Sequence, residues 1–266
     1  MVTGASSGIG AAVATKLATL GFHVVAAGRS EQRLGVVVSR IMSGGGSAEP
    51  LLLDLASQES VRGASEVIRS TGRAVDILVN NAGVAVERGV TLDGFQIQFG
   101  VNHLGHFLLT DAIGGSLGSG ARVITLSSEM HRRASGIDFA RVTRPTRSPF
   151  GVAEYAVSKL ANILFTRELA RRRPEWRVSA VHPGLVDTRL FPALVRPLVR
   201  RTGLTPDQGA DTVIWCATEG EPVSGGYYAS RTQLEPSAPA QDDDLAQELW
   251  ERSERWCGVG RPQADG

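Results

Sequence analysis

The stretch Thr3-Gly4-Ala5-Ser6-Ser7-Gly8-Ile9-Gly10 decides how the rest of the chain is read. It sets three glycines ahead of a segment with helical character, Ile9–Leu20. Gly4 permits a tight turn, Gly8 lets the backbone approach a pyrophosphate, and Gly10 allows close helix packing. The free N–H groups and positive dipole end of the following helix would then face the phosphates, with Ser6, Ser7 and Ile9 completing the loop. The spacing is Gly-x-x-x-Gly-x-Gly, not the Gly-x-Gly-x-x-Gly of the dinucleotide fingerprint, so a ligand-free glycine turn is the competing reading. Only Met1 and Val2 precede the loop. A strand usually has about 5–6 residues, so the first strand is either unusually short or truncated.

Working outward, short apolar runs recur at Phe22–Ala27, Pro50–Leu53, Val75–Val79, Val123–Leu126 and Val178–Val181. Continuous runs of this kind read as parallel strands buried on both faces. Segments with helical character lie between them, including Ser57–Ser70 and Glu154–Arg173. The alternation predicts an α/β fold, a doubly wound, mostly parallel sheet with helices on both faces. A length of 266 residues suits one domain over 1–266. A final helix is expected near Asp242–Arg252, followed by a mobile tail at about 258–266.

The bulk composition narrows the function classes. The chain is 42% hydrophobic and 21% charged with a net charge of +1. No global field argues for nucleic acid or an anionic membrane. No apolar run approaches the ~18–20 residues of a bilayer span. Cys216 and Cys257 are far apart and lack CxxC spacing, which argues against a disulfide framework or zinc site. Two unpaired thiols fit a reducing compartment, and a cytoplasmic protein is expected. His103, His106 and His182 lack metal-ligand spacing, so no metal is expected.

Arg29 follows the run Phe22–Ala27, and no acid occurs there until Glu31. An acid at this position would bond the ribose 2′-OH of NAD, whereas an arginine accommodates the 2′-phosphate of NADP. NADP(H) is therefore the favoured cofactor, with NAD(H) as the alternative. Further on, Tyr155-Ala156-Val157-Ser158-Lys159 puts a phenol and an ammonium on one helix face at i and i+4. A free phenol with a pKa near ~10 is a poor base at neutral pH, and a nearby cation lowers that value.

Seven ordered motifs carry a resemblance: Thr3–Gly10, Asp54-Leu55, Asn80-Asn81-Ala82-Gly83, Asn102 within Val101–Phe107, Ser127-Ser128, Tyr155–Lys159 and Pro183-Gly184. The chain resembles the short-chain dehydrogenase/reductase family along nearly its whole length. The resemblance implies a seven-stranded Rossmann sheet and reversible hydride transfer between a nicotinamide cofactor and an alcohol or carbonyl substrate. It makes Tyr155 the general acid and base. Lys159 lowers the Tyr155 pKa and binds the nicotinamide ribose. Ser128, the second serine of its pair, holds the substrate oxygen, and Asn102 supports a water linking Lys159 to solvent. Asp54 and Leu55 would meet the adenine, and Asn81, Ala82 and Gly83 would line the cofactor. Pro183, Gly184, Val186 and Thr188 would flank the nicotinamide, with the substrate loop at about 186–205. A homodimer or homotetramer is also implied.

Ser158–Phe165 and Val181–Gly184 look like the retinol dehydrogenase-like and WW-domain oxidoreductase-like branch. The chain departs from that branch in an arginine-rich insert carrying Arg132, Arg133, Arg141, Arg144 and Arg147. Two rival readings are a nucleotide-binding redox sensor without turnover and an epimerase or dehydratase that recycles its cofactor. The first would fit loss of the tyrosine or lysine, both of which are present here.

Overall fold

The alternating apolar runs become strands of a single sheet. The computed structural model describes residues 1–186 and 203–260. In chain order the strands are β1 (Val2–Thr3), β2 (His23–Gly28), β3 (Ser47–Leu52), β4 (Ile77–Asn80), β5 (Arg122–Leu126), β6 (Arg177–Val181), β7 (Gly226–Ala229) and β8 (Thr232–Leu234). Their spatial order is β3-β2-β1-β4-β5-β6-β7-β8. All neighbours pair in parallel except β7 and β8, which form an antiparallel hairpin. The sheet thus has eight strands, one more than expected. The extra strand is β8, whose two leading residues are exposed and which leans on β7 through its backbone. Strand β1 has two residues.

Alternating side chains of each strand feed two cores. Leu78, Val123, Val178 and Ala180 join one core, while Val79, Ile124 and Val181 join the other. The first core is closed by α3 (Gln58–Ser70), α5 (Gly105–Ala112), α6 (Val152–Arg172) and α8 (Asp243–Cys257). The second is closed by α1 (Gly8–Thr19), α2 (Glu31–Ser43) and α7 (Pro206–Ala217). A further short helix, α4 (Ile97–Phe99), runs into a π-helical stretch, Gly100–Leu104, ahead of α5.

Local chemistry sets several boundaries. The Ser30, Ser57 and Asp242 side chains accept the N–H groups of Arg33, Ser60 and Leu245 at the starts of α2, α3 and α8. Thr205 and Gln208 form a reciprocal capping box at α7, with Pro206 in its first turn. Gly258, at φ 57°, closes α8 in the left-handed region, and Val259 N–H returns to Glu254 O at 3.0 Å. The other tail residues, 261–266, lie outside the described residues, as do 187–202 of the expected substrate loop, Thr188 among them. Among the described residues no helix is long and apolar enough to cross a membrane.

The order 3-2-1-4-5 reverses direction between β1 and β4. In open parallel sheets the crevice beyond the strand C-termini at that reversal is where ligands bind.

Candidate active site

A cleft of about 630 Å³ opens at the reversal point. Among the expected residues it brings together Gly4, Ser6, Ser7, Gly8, Ile9, Gly10, Arg29, Asp54, Leu55, Asn81, Ala82, Gly83, Tyr155, Lys159 and Pro183. Gly4 (φ 66°) and Gly8 (φ 55°) hold left-handed backbone that favours glycine. A Cβ on Gly10 would collide with the Gly4 carbonyl and the Asn81 amide. The Ser7 side chain makes no capping bond, so it leaves the first-turn N–H groups of α1 unclaimed at the cleft. This cradle fits a dinucleotide phosphate.

Thr3 anchors the loop, a role the motif reading did not assign it. Its hydroxyl accepts Asn81 N–H at 2.9 Å and Ala82 N–H at 3.0 Å, and it lies 2.9 Å from His106 Nε2. The Asn81 amide donates to Thr3 O at 2.7 Å. The glycine loop and the end of β4 are therefore fixed to each other. Asp54 accepts Ala56 N–H at 3.0 Å in a side-chain turn on the cleft wall. At the far end, Arg29 is exposed and lies 3.9 Å from Glu87. Arg33, four residues on in the first turn of α2, lines the same end. Its i+4 spacing from Arg29 was the available signal, and the sequence reading missed it.

Tyr155 and Lys159 meet at the other end, on α6. The Lys159 ammonium lies 5.5 Å from the Tyr155 ring centre and donates to Leu126 O at 2.9 Å. Lys159 is 4% exposed, and burial lowers its pKa to about 7. Burial pushes the Tyr155 phenol up to about 12, and the hydrogen bond with the Ser128 hydroxyl works in the opposite direction. In the protein alone desolvation thus outweighs any neighbouring charge on Tyr155.

Ser127 and Ser128 have separate tasks. The Ser127 hydroxyl is buried and donates to Lys159 O at 2.8 Å, which ties β5 to α6. Ser128 begins the 3₁₀ turn Glu129–Arg133, and its hydroxyl faces the phenol. Asn102 sits in the π-helical stretch, fully buried. Its Oδ1 accepts Val84 N–H at 2.8 Å, while its Nδ2 donates to Val84 O and Ser158 Oγ, each at 2.9 Å. A Cβ on Gly83 would lie 3.3 Å from Asn102 Oδ1 and 3.7 Å from Lys159 Nζ, so these three groups share one corner. Ser128 touches the Tyr155 phenol and Asn102 shares the corner of Gly83 and Lys159, but these two, like Gly184 and Val186, do not line the cleft itself. Val186 is buried, bridges to Leu204 and faces Gly209 of α7.

A doubly wound sheet with a glycine loop at its reversal point defines a Rossmann-type nucleotide-binding protein. Comparison with known proteins takes the assignment further. A family model described as short chain dehydrogenase matches residues 1–197. The chain is 40% identical to polyprenol dehydrogenase of Mus musculus, an alignment covering 100% of this chain and 85% of that protein. It is 37% identical to retinol dehydrogenase 14 of Mus musculus, covering 97% and 85%. It is also 37% identical to the WW domain-containing oxidoreductase of Homo sapiens, covering 96% and 67%. A crystal structure of a protein from Mycobacterium paratuberculosis superposes with a TM-score of 0.81 at 32% identity, covering 98% of this chain and 93% of that one. A short chain dehydrogenase from Burkholderia cenocepacia in complex with NADP gives a TM-score of 0.69 at 30% identity, covering 91% and 96%. The chain belongs to the short-chain dehydrogenase family.

Proposed function

We propose that the protein is an NADP(H)-dependent oxidoreductase that interconverts an alcohol and its ketone or aldehyde, with Tyr155 as proton donor and acceptor. The observation that carries this reading is the convergence of Ser128, Tyr155 and Lys159 at one end of a cleft whose other end bears Arg29 and Arg33. A bound nicotinamide would give hydride to the substrate carbon or take it away. The hydroxyls of Ser128 and Tyr155 hydrogen-bond the substrate oxygen, and the phenol proton moves onto that oxygen as negative charge develops there. Lys159 holds the nicotinamide ribose and favours the phenolate that remains. Asn102 keeps Val84 and Ser158 in register around Lys159 and supports the water that returns a proton to it. The α1 N-terminus and Ser6 receive the pyrophosphate, Asp54 and Leu55 the adenine, and Pro183, Gly184, Val186 and Thr188 the nicotinamide side.

Relatives named for polyprenol and retinol support an apolar alcohol or its carbonyl form as substrate. The NADP complex of a structural relative supports the cofactor, and Arg29 and Arg33 favour the 2′-phosphate form. The two buried thiols suit a cytoplasmic setting. Assembly as a homodimer or homotetramer, which the family suggests, is read by light scattering.

The deciding experiment is NADPH-linked reduction of a panel of apolar aldehydes and ketones by wild type and Tyr155→Phe. Removing a general acid costs about 10²–10⁴-fold in turnover. Unchanged turnover in Tyr155→Phe would remove Tyr155 from the mechanism.

A further inference from the structure

The turn that presents Ser128 is fastened from behind by a buried histidine. His131 is fully buried. Its Nδ1 lies 2.7 Å from Ser128 O, which also accepts the His131 backbone N–H at 3.0 Å. Its Nε2 lies 3.1 Å from the backbone N–H of Ser237. A backbone N–H can only donate, so Nε2 is the acceptor and the ring proton must sit on Nδ1, aimed at the Ser128 carbonyl. Both ring nitrogens are thereby assigned, in the neutral form. The ring packs edge-on against Tyr227 of β7, with centroids 5.1 Å apart. Tyr227 in turn donates to Glu129 at 2.8 Å, and Arg132 donates to Glu235 O at 2.7 Å. The serine turn is thus tied to β7 and to the segment that follows β8.

The side chain of Ser128 has little holding it from its own turn. Its oxygen accepts Met130 N–H at a long 3.3 Å. Besides meeting the Tyr155 phenol, the hydroxyl takes its direction from where the Ser128 main chain is held, and the Nδ1–H bond is a side-chain contact that holds it. We propose that His131 is a positioning residue that aims Ser128 at the substrate oxygen through the Ser128 carbonyl. This rests on the reading of Ser128 as the group that orients the substrate.

Two substitutions separate the two ends of the ring. In His131→Asn the amide Nδ2 stands where Nδ1 stood, so the bond to Ser128 O survives and the bond from Ser237 is lost. In His131→Gln the side-chain oxygen can reach the Ser237 N–H, and the bond to Ser128 O is lost. Both forfeit the contact with Tyr227. A merely structural role would lower the melting temperature in both and leave kcat per NADPH-binding site alike. Positioning predicts instead that His131→Gln loses kcat on the order of tenfold, with KM for NADPH unchanged, while His131→Asn stays near wild type. Equal kcat in the two variants overturns the proposal alone. A wild type without turnover, or one indifferent to Ser128→Ala, overturns the reading of the site and the proposal with it. Nitrogen-15 NMR of labelled histidine gives a readout that needs no turnover. The resonances lost in His131→Asn should report a neutral ring protonated at Nδ1 at pH 7, and a charged or Nε2-protonated ring refutes the geometry.

Discussion

Replacing Asn102 by alanine tests how the corner around Lys159 is built. The carboxamide closes three buried bonds, two on Val84 and one on Ser158. Ser158 Oγ keeps its own bond to Tyr155 O at 2.8 Å, so it is not orphaned by the change. Val84 N–H and Val84 O both lose these bonds inside the protein. An unsatisfied buried backbone group costs about 1–3 kcal/mol, so Asn102→Ala should lose on the order of 3 kcal/mol. In domains approaching this size each kcal/mol moves Tm by about 2–4 °C, which gives a fall of roughly 6–12 °C. Asn102→Asp supplies an internal check. One carboxylate oxygen still accepts Val84 N–H, but the other faces Val84 O, which only a protonated acid can satisfy. Burial and that carbonyl push the folded-state pKa of Asp at this position up from the ~3.9 of the unfolded chain, against the Lys159 amine in the same corner, which burial itself drives toward its neutral form. A raised folded pKa gives stability that is present at low pH and lost as pH rises through it. The gap between Asn102→Asp and wild type should therefore be narrower at pH 5 than at pH 8. Urea unfolding at both pH values is the assay. A loss below about 1 kcal/mol in Asn102→Ala, or a gap that widens toward pH 5, would refute the assignment of Asn102 as the clamp on Val84.

Further outcomes follow from other parts of the structure. Arg33→Ala and Arg29→Ala should each weaken NADPH binding relative to NADH by roughly tenfold, read by fluorescence titration. Equal loss for both cofactors would take the 2′-phosphate away from these arginines. His103 and His106 are held neutral by burial down to about 3 and about 4. Unfolded histidine titrates near ~6.5. Their contribution to stability is thus complete above that value and is lost as pH falls toward the folded values, at about 1.4 kcal/mol per pH unit for each histidine. Urea midpoints measured from pH 7 to 5 should fall accordingly, and a flat profile counts against buried neutral imidazoles.

The elements that the sequence exposes are those whose burial is written in one dimension. Runs such as Val123–Leu126 are buried on both faces and read directly as strands. β8 escapes because Thr232-Gln233-Leu234 joins the sheet as an edge, by backbone pairing with β7, with its first two residues exposed. The glycine loop is legible because each glycine answers a local backbone need. The choice between Ser127 and Ser128 is not local. It depends on extended backbone turning one hydroxyl inward to Lys159 O and leaving the next for Tyr155. Asn102 lies in a stretch whose π-helical turn carries no sequence signal, and its three bonds depend on a loop eighteen residues back and on Ser158 of α6, fifty-six residues on. His131 follows the serine pair by three residues, but its second partner is 106 residues downstream.

Tyr155 and Lys159 show the same limit in their electrostatics. Spacing at i and i+4 gives proximity, and proximity gives the sign of the pairwise effect, a lowered phenol pKa. It says nothing of solvation, which every element packed around α6 determines. Here burial raises Tyr155 to about 12 and lowers Lys159 to about 7. Each group is pushed toward its neutral form, so the neutral phenol is the resting state near pH 7. Carbonyl reduction consumes a phenol proton and finds it already in place. Alcohol oxidation needs the phenolate, whose population rises with pH up to the phenol pKa. Oxidation should therefore accelerate tenfold per pH unit on its acid limb while reduction stays nearly flat, as single-turnover rates in each direction would show. A reduction rate that instead climbs with pH in parallel would mean that the proton comes from a group other than Tyr155.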